Sequence, residues 1–234
     1  MVLQVVKVPF YLIYSTHTGY MQPYTITHLR QTLHLHPMKG LYWQEQDMLL
    51  VADAHLGKAR HFRKAGIAVP MGVAIENLRR LEVLLAAYEP GRVMFMGDLF
   101  HSTHNAAWEE FNSFCADYAD VSFELIKGNH DILTERHYEE SLLTYHSKPL
   151  RIGPYLLSHE PMEVPGSYNL CGHIHPGVVL GGWGKQRMRL SCFYFGLQGC
   201  ILPAFGAFTG LANVRVQRGE RVFVVTDEAV LPVD

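Results

Sequence analysis

Seven candidate metal-binding residues stand in five short motifs between positions 53 and 175. The motifs are Asp53-Ala54-His55, Gly97-Asp98, Gly128-Asn129-His130-Asp131, His159-Glu160 and Gly172-His173-Ile174-His175. They supply carboxylate, carboxamide and imidazole groups but no thiolate, a mixture that suits Mn²⁺, Fe or Zn²⁺. A single Asp-x-His or Gly-Asp pair occurs by chance in many chains. Five motifs in series indicate a shared metal site.

Each motif follows a short apolar run that predicts a buried strand. These runs lie at 48–52, 92–96, 121–126, 155–158 and 168–171. Loops at the carboxyl ends of the strands of an α/β sheet converge on one crevice, where ligands bind. We therefore expect the motifs to meet there and to hold two divalent metal ions, with Mn²⁺ as the first expectation.

The spacing within the motifs also has a chemical meaning. Asp53 and His55 are two residues apart, so an extended backbone would point both side chains to the same side. His173 and His175 repeat this spacing. Asp98 has two carboxylate oxygens, which can span two cations.

Asn129 and His159 complete the set with a carboxamide oxygen and an imidazole. Taken singly, such residues could form a turn or lie satisfied in the core. Taken together, they would be costly to bury without the compensation that a metal supplies.

Apolar periodicity predicts three helices outside these strands. Helical spacing covers 70–88 and 105–118, and a third helix is expected to begin at Asp131 or Ile132. Asp131 could orient the imidazole of the neighbouring His130, or it could cap the helix that follows.

Further strands are predicted at 25–36, 41–43, 178–180, 188–195, 200–202 and 221–226. Strand–helix alternation followed by a strand-rich half predicts an α/β protein, a four-layer αββα sandwich of two mixed β-sheets flanked by helices.

Composition limits the class of protein. The chain has 234 residues, which suits one large domain, and a net charge of −2, which argues against a uniformly basic surface but permits a local basic patch. We expect residues 1–20 to be an N-terminal extension outside the fold and 21–234 to form a single domain.

The cysteines and the apolar runs bear on location. The four cysteines include no CxxC pair and predict buried reduced thiols in a cytoplasmic protein, although Cys192 and Cys200 could face each other across a hairpin. No apolar run approaches the ~18 residues of a membrane span, so no membrane association is expected.

The motifs resemble those of the calcineurin-like metallophosphoesterase superfamily, whose pattern is Asp-x-His, Gly-Asp, Gly-Asn-His-(Asp/Glu), His and Gly-His-x-His. The resemblance implies a phosphoesterase with the metallophosphoesterase sandwich fold and gives His130 a catalytic role beside the leaving group. The implied metal ligands are Asp53, His55 and His175 for one ion, Asn129, His159 and His173 for the other, and Asp98 between them. The longer Gly-Asp-x-x-Asp form of the second motif is absent here, because His101 occupies its last position.

Three stretches are similar to a narrower bacterial branch, the ligase-associated DNA damage response endonucleases. They are 51–58 with the following 62–70, 170–176 and 202–210. The similarity implies a nuclease that acts on DNA in damage repair, with DNA as a partner and with a DNA ligase, a helicase and an exonuclease as associated proteins.

Basic and aromatic residues near the motifs are candidate substrate contacts. Lys58, Arg60 and Arg63 follow the first motif, and backbone phosphates attract such side chains. Arg187 and Arg189, with Lys185, form a second basic group on a predicted hairpin. The alternative for each group is a solvated charged loop.

The segment 204–210 is expected to line the crevice, with Phe205 and Phe208 as its wall; the alternative is that both rings fill the core.

Two other functions remain open from the sequence. A phosphomonoesterase or a cyclic-nucleotide phosphodiesterase would use the same two metals. A scaffold of a repair complex could keep the fold and lose catalysis, but every expected ligand type is present here.

Overall fold

The computed structural model describes residues 6–7, 21–58, 73–100, 106–181, 187–207 and 209–233. Its first strand, β1 (Val6–Lys7), lies in the segment expected to extend from the fold, and pairs with the edge of a sheet at Leu180 and Gly181. The described strands form two mixed sheets, one of seven strands and one of ten. This confirms the predicted α/β class with two mixed sheets.

The first sheet holds the motifs of the N-terminal half. Its strands are β2 (Tyr24–His28), β3 (Gln31–Leu35), β4 (Leu41–Trp43), β5 (Met48–Val51), β6 (Arg92–Met96), β7 (Ser122–Ile126) and β8 (Leu143–His146), in that order across the sheet. Strands β2 to β5 pair antiparallel, and β5 to β8 pair parallel. The carboxyl ends of β5, β6 and β7 therefore lie at one edge.

The prediction of one strand over 25–36 is wrong, because this segment is a hairpin of β2 and β3. The chain turns at Leu29 and Arg30, which have φ of 49° and 62°. Two successive left-handed residues match the twist of a tight hairpin, but such turns usually carry Asn-Gly or Asp-Gly. Leu-Arg gives no such signal.

The helices pack on the outer face of the first sheet. They are α1 (Val73–Tyr88), α2 (Ala106–Asp117) and α3 (Glu135–Glu139). The first two match the predictions over 70–88 and 105–118, whose first residues lie outside the described chain. The third begins after the predicted Asp131 or Ile132, since the Asp131 side chain is engaged elsewhere. Leu84, Phe111 and Tyr138 join Val93 and Phe123 of the sheet in one buried apolar cluster.

The second sheet holds the motifs of the C-terminal half. Its further strands are β9 (Leu150–Ile152), β10 (Tyr155–Leu157), β11 (Tyr168–Cys171), β12 (Pro176–Gly181), β13 (Arg187–Phe195), β14 (Gly199–Ile201), β15 (Ala212–Asn213), β16 (Arg221–Val225) and β17 (Val230–Val233). The order is β1-β12-β13-β14-β11-β10-β9, with β15 beside β12 and with β16 and β17 beyond β13. Strands β10, β11 and β14 run parallel.

The main core lies between the sheets. Leu50, Met94 and Met96 of the first sheet pack there with Phe193 and Phe223 of the second. A third buried cluster on the outer face of the second sheet includes Val178, Cys192 and Val224, with Val214 and Val216 packed against it.

The cysteines are all buried and free, as predicted. Cys192 lies in the outer cluster of the second sheet and Cys200 in the core between the sheets, so they do not face each other across a hairpin. Burial raises the pKa of the Cys192 thiol to about 12, which keeps it protonated. None of the described helices combines the length and the apolar character that a membrane span requires.

Candidate metal centre

Two clusters of metal-binding side chains form where the carboxyl ends of the strands meet. Asp53, His55 and His175 form one cluster, and Asp98, His159 and His173 form the other. Within each cluster, one ligand atom per residue lies within 4.8 Å of the others. The membership agrees with the two ligand sets inferred from the resemblance, with Asp98 placed in the second cluster. Its bridging role remains a prediction.

The second cluster is tightly organised around His159. Its Nδ1 donates to the backbone oxygen of Met96 at 3.0 Å, so Nε2 keeps its lone pair. Oδ1 of Asn129 lies 2.9 Å from this Nε2, Nδ1 of His173 lies 3.0 Å away, and Oδ1 of Asp98 lies 3.5 Å away. All four predicted residues of this cluster are therefore together.

The first cluster contains a carboxylate oxygen with no hydrogen bond. Asp53 is fully buried, and its Oδ1 accepts none within the described part of the chain. Nε2 of His175 lies 3.5 Å from this oxygen. The other oxygen, Oδ2, accepts a hydrogen bond from the backbone N–H of His173 at 2.9 Å, which links the two clusters.

These donor sets fit divalent metal ions. The Asn129 and Asp98 oxygens are electron-rich and lie 2.9 and 3.5 Å from the lone pair of His159 Nε2. Atoms bound to one cation by bonds of ~2.1 Å have roughly this spacing. Because a buried carboxylate oxygen without a hydrogen bond is costly, Oδ1 of Asp53 indicates that the first cluster binds a cation as well.

Backbone strain is concentrated at the clusters. Positive φ occurs at Asp53 (53°), His55 (46°), Asp98 (51°), His173 (66°) and His175 (54°). The prediction that an extended backbone directs Asp53 and His55 to one side is therefore wrong, as it is for His173 and His175. Their side chains converge because the loops turn sharply through the left-handed region, which favours glycine.

The loops that carry the ligands of the first sheet form backbone hydrogen bonds with each other. The backbone N–H of His55 donates to Asp98 O at 2.9 Å, and that of Leu56 donates to Leu99 O at 2.7 Å. Parallel pairing thus continues past the ends of β5 and β6 through the strained residues. In the second sheet, a Cβ at Gly172 would lie 2.6 Å from Oδ2 of Asp53, so this close approach requires glycine.

Asp131 is neither a helix cap nor a histidine partner, although these were the two roles considered for it. Its Oδ2 accepts hydrogen bonds from the backbone N–H groups of Asp98 at 2.8 Å and Gly128 at 2.9 Å, and its Oδ1 accepts one from Phe100 at 3.2 Å. Burial and the Asp98 carboxylate raise the pKa of Asp131 to about 6, although the three hydrogen bonds lower it. The side chain fixes the loops that carry Asp98 and Asn129.

The segment after β14 supports the first cluster with its backbone. Phe205 N donates to Ala52 O at 2.8 Å, and Gly206 N donates to Asp53 O at 3.1 Å. The expectation that Phe205 walls the crevice is wrong, because its ring is buried in the apolar cluster beneath the helices. Arg80 of α1 donates to the Phe205 carbonyl at 3.3 Å.

His130 and Lys58 lie beside the clusters. The His130 side chain is 45% exposed, its backbone N–H donates to Oδ1 of Asp98 at 2.8 Å, and its Nε2 lies 3.9 Å from Oδ2. Burial lowers the pKa of the Lys58 ammonium, whereas the nearby Asp98 and Asp53 carboxylates raise it.

The other predicted substrate contacts, Arg60, Arg63 and Phe208, lie outside the described residues. Sequence reasoning missed the supporting roles of Asp131 and Arg80, of which only Asp131 stands within a motif.

Comparison with known proteins identifies the class. The model of the calcineurin-like phosphoesterase family matches residues 48–198. A solved nuclease, MPE from Pseudomonas putida, is 28% identical, with a TM-score of 0.73 over 90% of this chain and 100% of its own. Yfce, a phosphoesterase from E. coli, is 13% identical, with a TM-score of 0.40 over 80% of this chain and 97% of its own. No curated protein matches the chain.

The fold and the two clusters define a metal-dependent hydrolase of phosphate esters. The chain belongs to the calcineurin-like phosphoesterase family.

Proposed function

We propose that this phosphoesterase is a nuclease that cleaves phosphodiester bonds of DNA with two divalent metal ions, Mn²⁺ being the first candidate. The observation that carries the proposal is the pair of adjacent clusters, Asp53–His55–His175 and Asp98–His159–His173 with Asn129. The nuclease of Pseudomonas putida, which is similar over its whole length, supports nucleic acid as the substrate class.

Each residue of the centre has a proposed task. Asp53, His55 and His175 would hold one metal, and Asn129, His159 and His173 the other, with Asp98 between them. Two divalent ions, when bound, supply an activated water and neutralise charge on the phosphate.

The groups at the mouth of the centre would act on the substrate. His130 is anchored through its backbone to Asp98 and keeps an exposed imidazole there, where it would give a proton to the departing alkoxide. The ammonium of Lys58, close to both aspartates, would contact a phosphate oxygen and help to orient the scissile bond.

A substrate panel tests the proposal. Purified protein in Mn²⁺ would be offered single-stranded, duplex and hairpin DNA, p-nitrophenyl phosphate, bis-p-nitrophenyl phosphate and a cyclic nucleotide. We expect DNA cleavage and diester hydrolysis, both lost in Asp98→Asn prepared in parallel, which excludes a contaminating nuclease. Hydrolysis of the monoester or the cyclic nucleotide without DNA cleavage would refute the nuclease proposal and leave the phosphoesterase class intact.

We also propose that the nuclease works in the cytoplasm in DNA damage repair, alongside a DNA ligase, a helicase and an exonuclease. The stretches 51–58, 170–176 and 202–210, similar to the ligase-associated branch, support this proposal. A strain that lacks the gene should be sensitive to DNA damage, and the wild-type gene should restore resistance where Asp98→Asn does not. Equal resistance of the deleted and parental strains would contradict the repair role.

A further inference from the structure

A β-hairpin extends from the second sheet beyond the metal centre. Strand β12 begins at Pro176, directly after His175, and its residues 177–181 pair with 191–187 of β13. Strand β13 pairs with β14 and β16 only through its residues 192–195, so its residues 187–191 pair with β12 alone among the described strands. Ile201 of β14 pairs with both Tyr194 of β13 and Cys171, the residue at which β11 ends. Residues 176–181 and 187–191, called the arm below, therefore continue past the level of the ligand loops.

The two faces of the arm differ in chemistry. Residues of β13 alternate, so Arg187 and Arg189 share a face with Phe193, which lies in the core between the sheets. On the other face, Leu190 packs against the outer apolar cluster. Both arginines are exposed, and in the part of the chain that the structure describes neither forms an ion pair with a carboxylate. The inner face of the arm therefore presents two positive charges beyond the metal centre that no carboxylate of the described residues balances.

We propose that the inner face of the arm binds the phosphate backbone of a DNA strand as it leaves the metal centre, an inference that rests on the proposed nuclease function. Guanidinium groups bind phosphate through paired hydrogen bonds and do so without sequence preference. The negative charge of the strand complements the two exposed arginines, and the continuity of the arm with His175 places them along the path from the reacting phosphodiester.

The register gives the position of these contacts. Arg189 pairs with Val179, four residues after His175, and Arg187 pairs with Gly181, six residues after it. At ~3.3 Å per residue these positions lie roughly 13 and 20 Å along the strand from His175. Since each strand of B-DNA rises about 3.4 Å per nucleotide, the contacted phosphates lie about four to six nucleotides from the cleaved bond.

Charge removal on the arm tests the inference. The variant Arg187→Gln/Arg189→Gln is compared with Arg215→Gln/Arg218→Gln. The control removes two exposed arginines from the segment whose Val214 and Val216 pack against the outer face of the second sheet. Binding of a fluorescein-labelled 20-nucleotide DNA is measured by anisotropy without added metal, over a series of salt concentrations. Circular dichroism checks that both variants fold.

In the arm variant, the slope of log K against log[salt] should fall by about 1.4 to 1.8, since each lost phosphate contact removes roughly 0.7 to 0.9. The ratio of kcat/KM on DNA to that on bis-p-nitrophenyl phosphate should fall about tenfold in this variant and stay constant in the control. A dinucleotide, too short to reach the arm, should not show the tenfold fall.

If wild-type protein cleaves DNA but the arm variant keeps the wild-type salt dependence of DNA binding, the inference is overturned. An equal fall of the kcat/KM ratio in the arm variant and in the control would overturn it as well. Failure of the nuclease proposal has a separate signature, because wild-type protein would then hydrolyse bis-p-nitrophenyl phosphate and leave DNA intact. If wild-type protein does not bind the DNA at all, the inference that the arm binds DNA is overturned as well.

Discussion

Five of the candidate metal ligands have a strained, left-handed backbone. Five of the ten described non-glycine residues with positive φ are candidate metal ligands. A left-handed non-glycine residue costs about 1–3 kcal/mol and persists only where its surroundings hold it. The hydrogen bonds at His55, Asp98 and His173 show how these surroundings hold the ligand backbone.

His130→Gln should separate proton transfer from metal binding. We expect kcat on DNA to fall by about 10² to 10⁴, because an alkoxide needs a proton to leave, whereas Mn²⁺ content should stay at the wild-type level. On bis-p-nitrophenyl phosphate the loss should be much smaller, since p-nitrophenolate leaves without a proton. Elemental analysis and turnover on both substrates provide the measurement.

The matched control for His130→Gln is Asp98→Asn, which should lose metal and both activities together. Equal losses of His130→Gln on the two substrates would contradict the role in leaving-group protonation.

His36 should make folding sensitive to acid. Burial lowers the pKa of His36 to about 4 from 6.5. Between these values the unfolded chain binds more protons, so the stability contributed by neutral His36 is fully present above pH 6.5 and is lost as the pH falls towards 4. The contribution is at most about 3 kcal/mol.

Between pH 7 and 4.5, the Tm of His36→Asn should therefore fall less than that of the wild type. His34→Asn is the control, because His34 lies in β3 close to the same Tyr88 ring but is only partly buried. Parallel Tm profiles for the wild type and His36→Asn would contradict the prediction.

At the scale of elements, loops and not strands determine the shape of the centre. The strands end before the ligands, and the loops of the first sheet are then joined by backbone pairing and by the Asp131 carboxylate. The segment after β14 adds its own backbone bonds to Ala52 and Asp53. Backbone hydrogen bonds therefore hold the centre although its ligands lie outside regular strands.

Asp131→Asn should loosen this arrangement. An amide has one acceptor oxygen in place of two, so at least one of the three backbone N–H groups is left buried without its partner. We expect a loss of about 1–3 kcal/mol in the free energy of unfolding, together with weaker Mn²⁺ binding, measured by denaturant unfolding and calorimetric titration.

The control for this prediction is Asp120→Asn, at an exposed position before β7, which should change neither quantity. Wild-type stability and metal affinity in Asp131→Asn would show that the three hydrogen bonds are not needed.

At the scale of the whole molecule, the centre joins the two sheets. Asp53, Asp98 and Asn129 follow strands of the first sheet, whereas His159 and His173 belong to loops of the second. A cation bound by the second cluster would therefore connect both sheets across their common edge, and the free energy of metal binding would stabilise the entire sandwich.

Mn²⁺ should accordingly raise the Tm. At a free concentration 100-fold above Kd, binding contributes about 2.7 kcal/mol, which corresponds to roughly 5–10 °C for a chain of this size. Differential scanning calorimetry with Mn²⁺ and with EDTA measures the shift, and Asp98→Asn should show little of it. An identical Tm in Mn²⁺ and EDTA would count against a metal that links the sheets.

Much of this organisation could be predicted from the sequence. The α/β class, two mixed sheets, the helices α1 and α2 and the meeting of the motif residues follow from local pattern. An apolar run encodes a buried strand, and helical spacing encodes an amphipathic helix. Polar residues just after buried strands must lie at a sheet edge. The strands β8, β9 and β15 are not predicted, because their apolar content is low or their length is small. Strand β17 is apolar, but Pro232 within it argues against a strand.

The remaining features depended on contacts between distant segments. The left-handed backbone of the ligands, the bonds from Asp98 and Phe100 to Asp131 and the burial of Phe205 leave no local signal, since each is stabilised by residues far away in the chain. The sequence alone thus determined which side chains meet. Only the tertiary structure decided how their backbones turn, because a strained conformation is held by the neighbours that surround it and not by its own propensity.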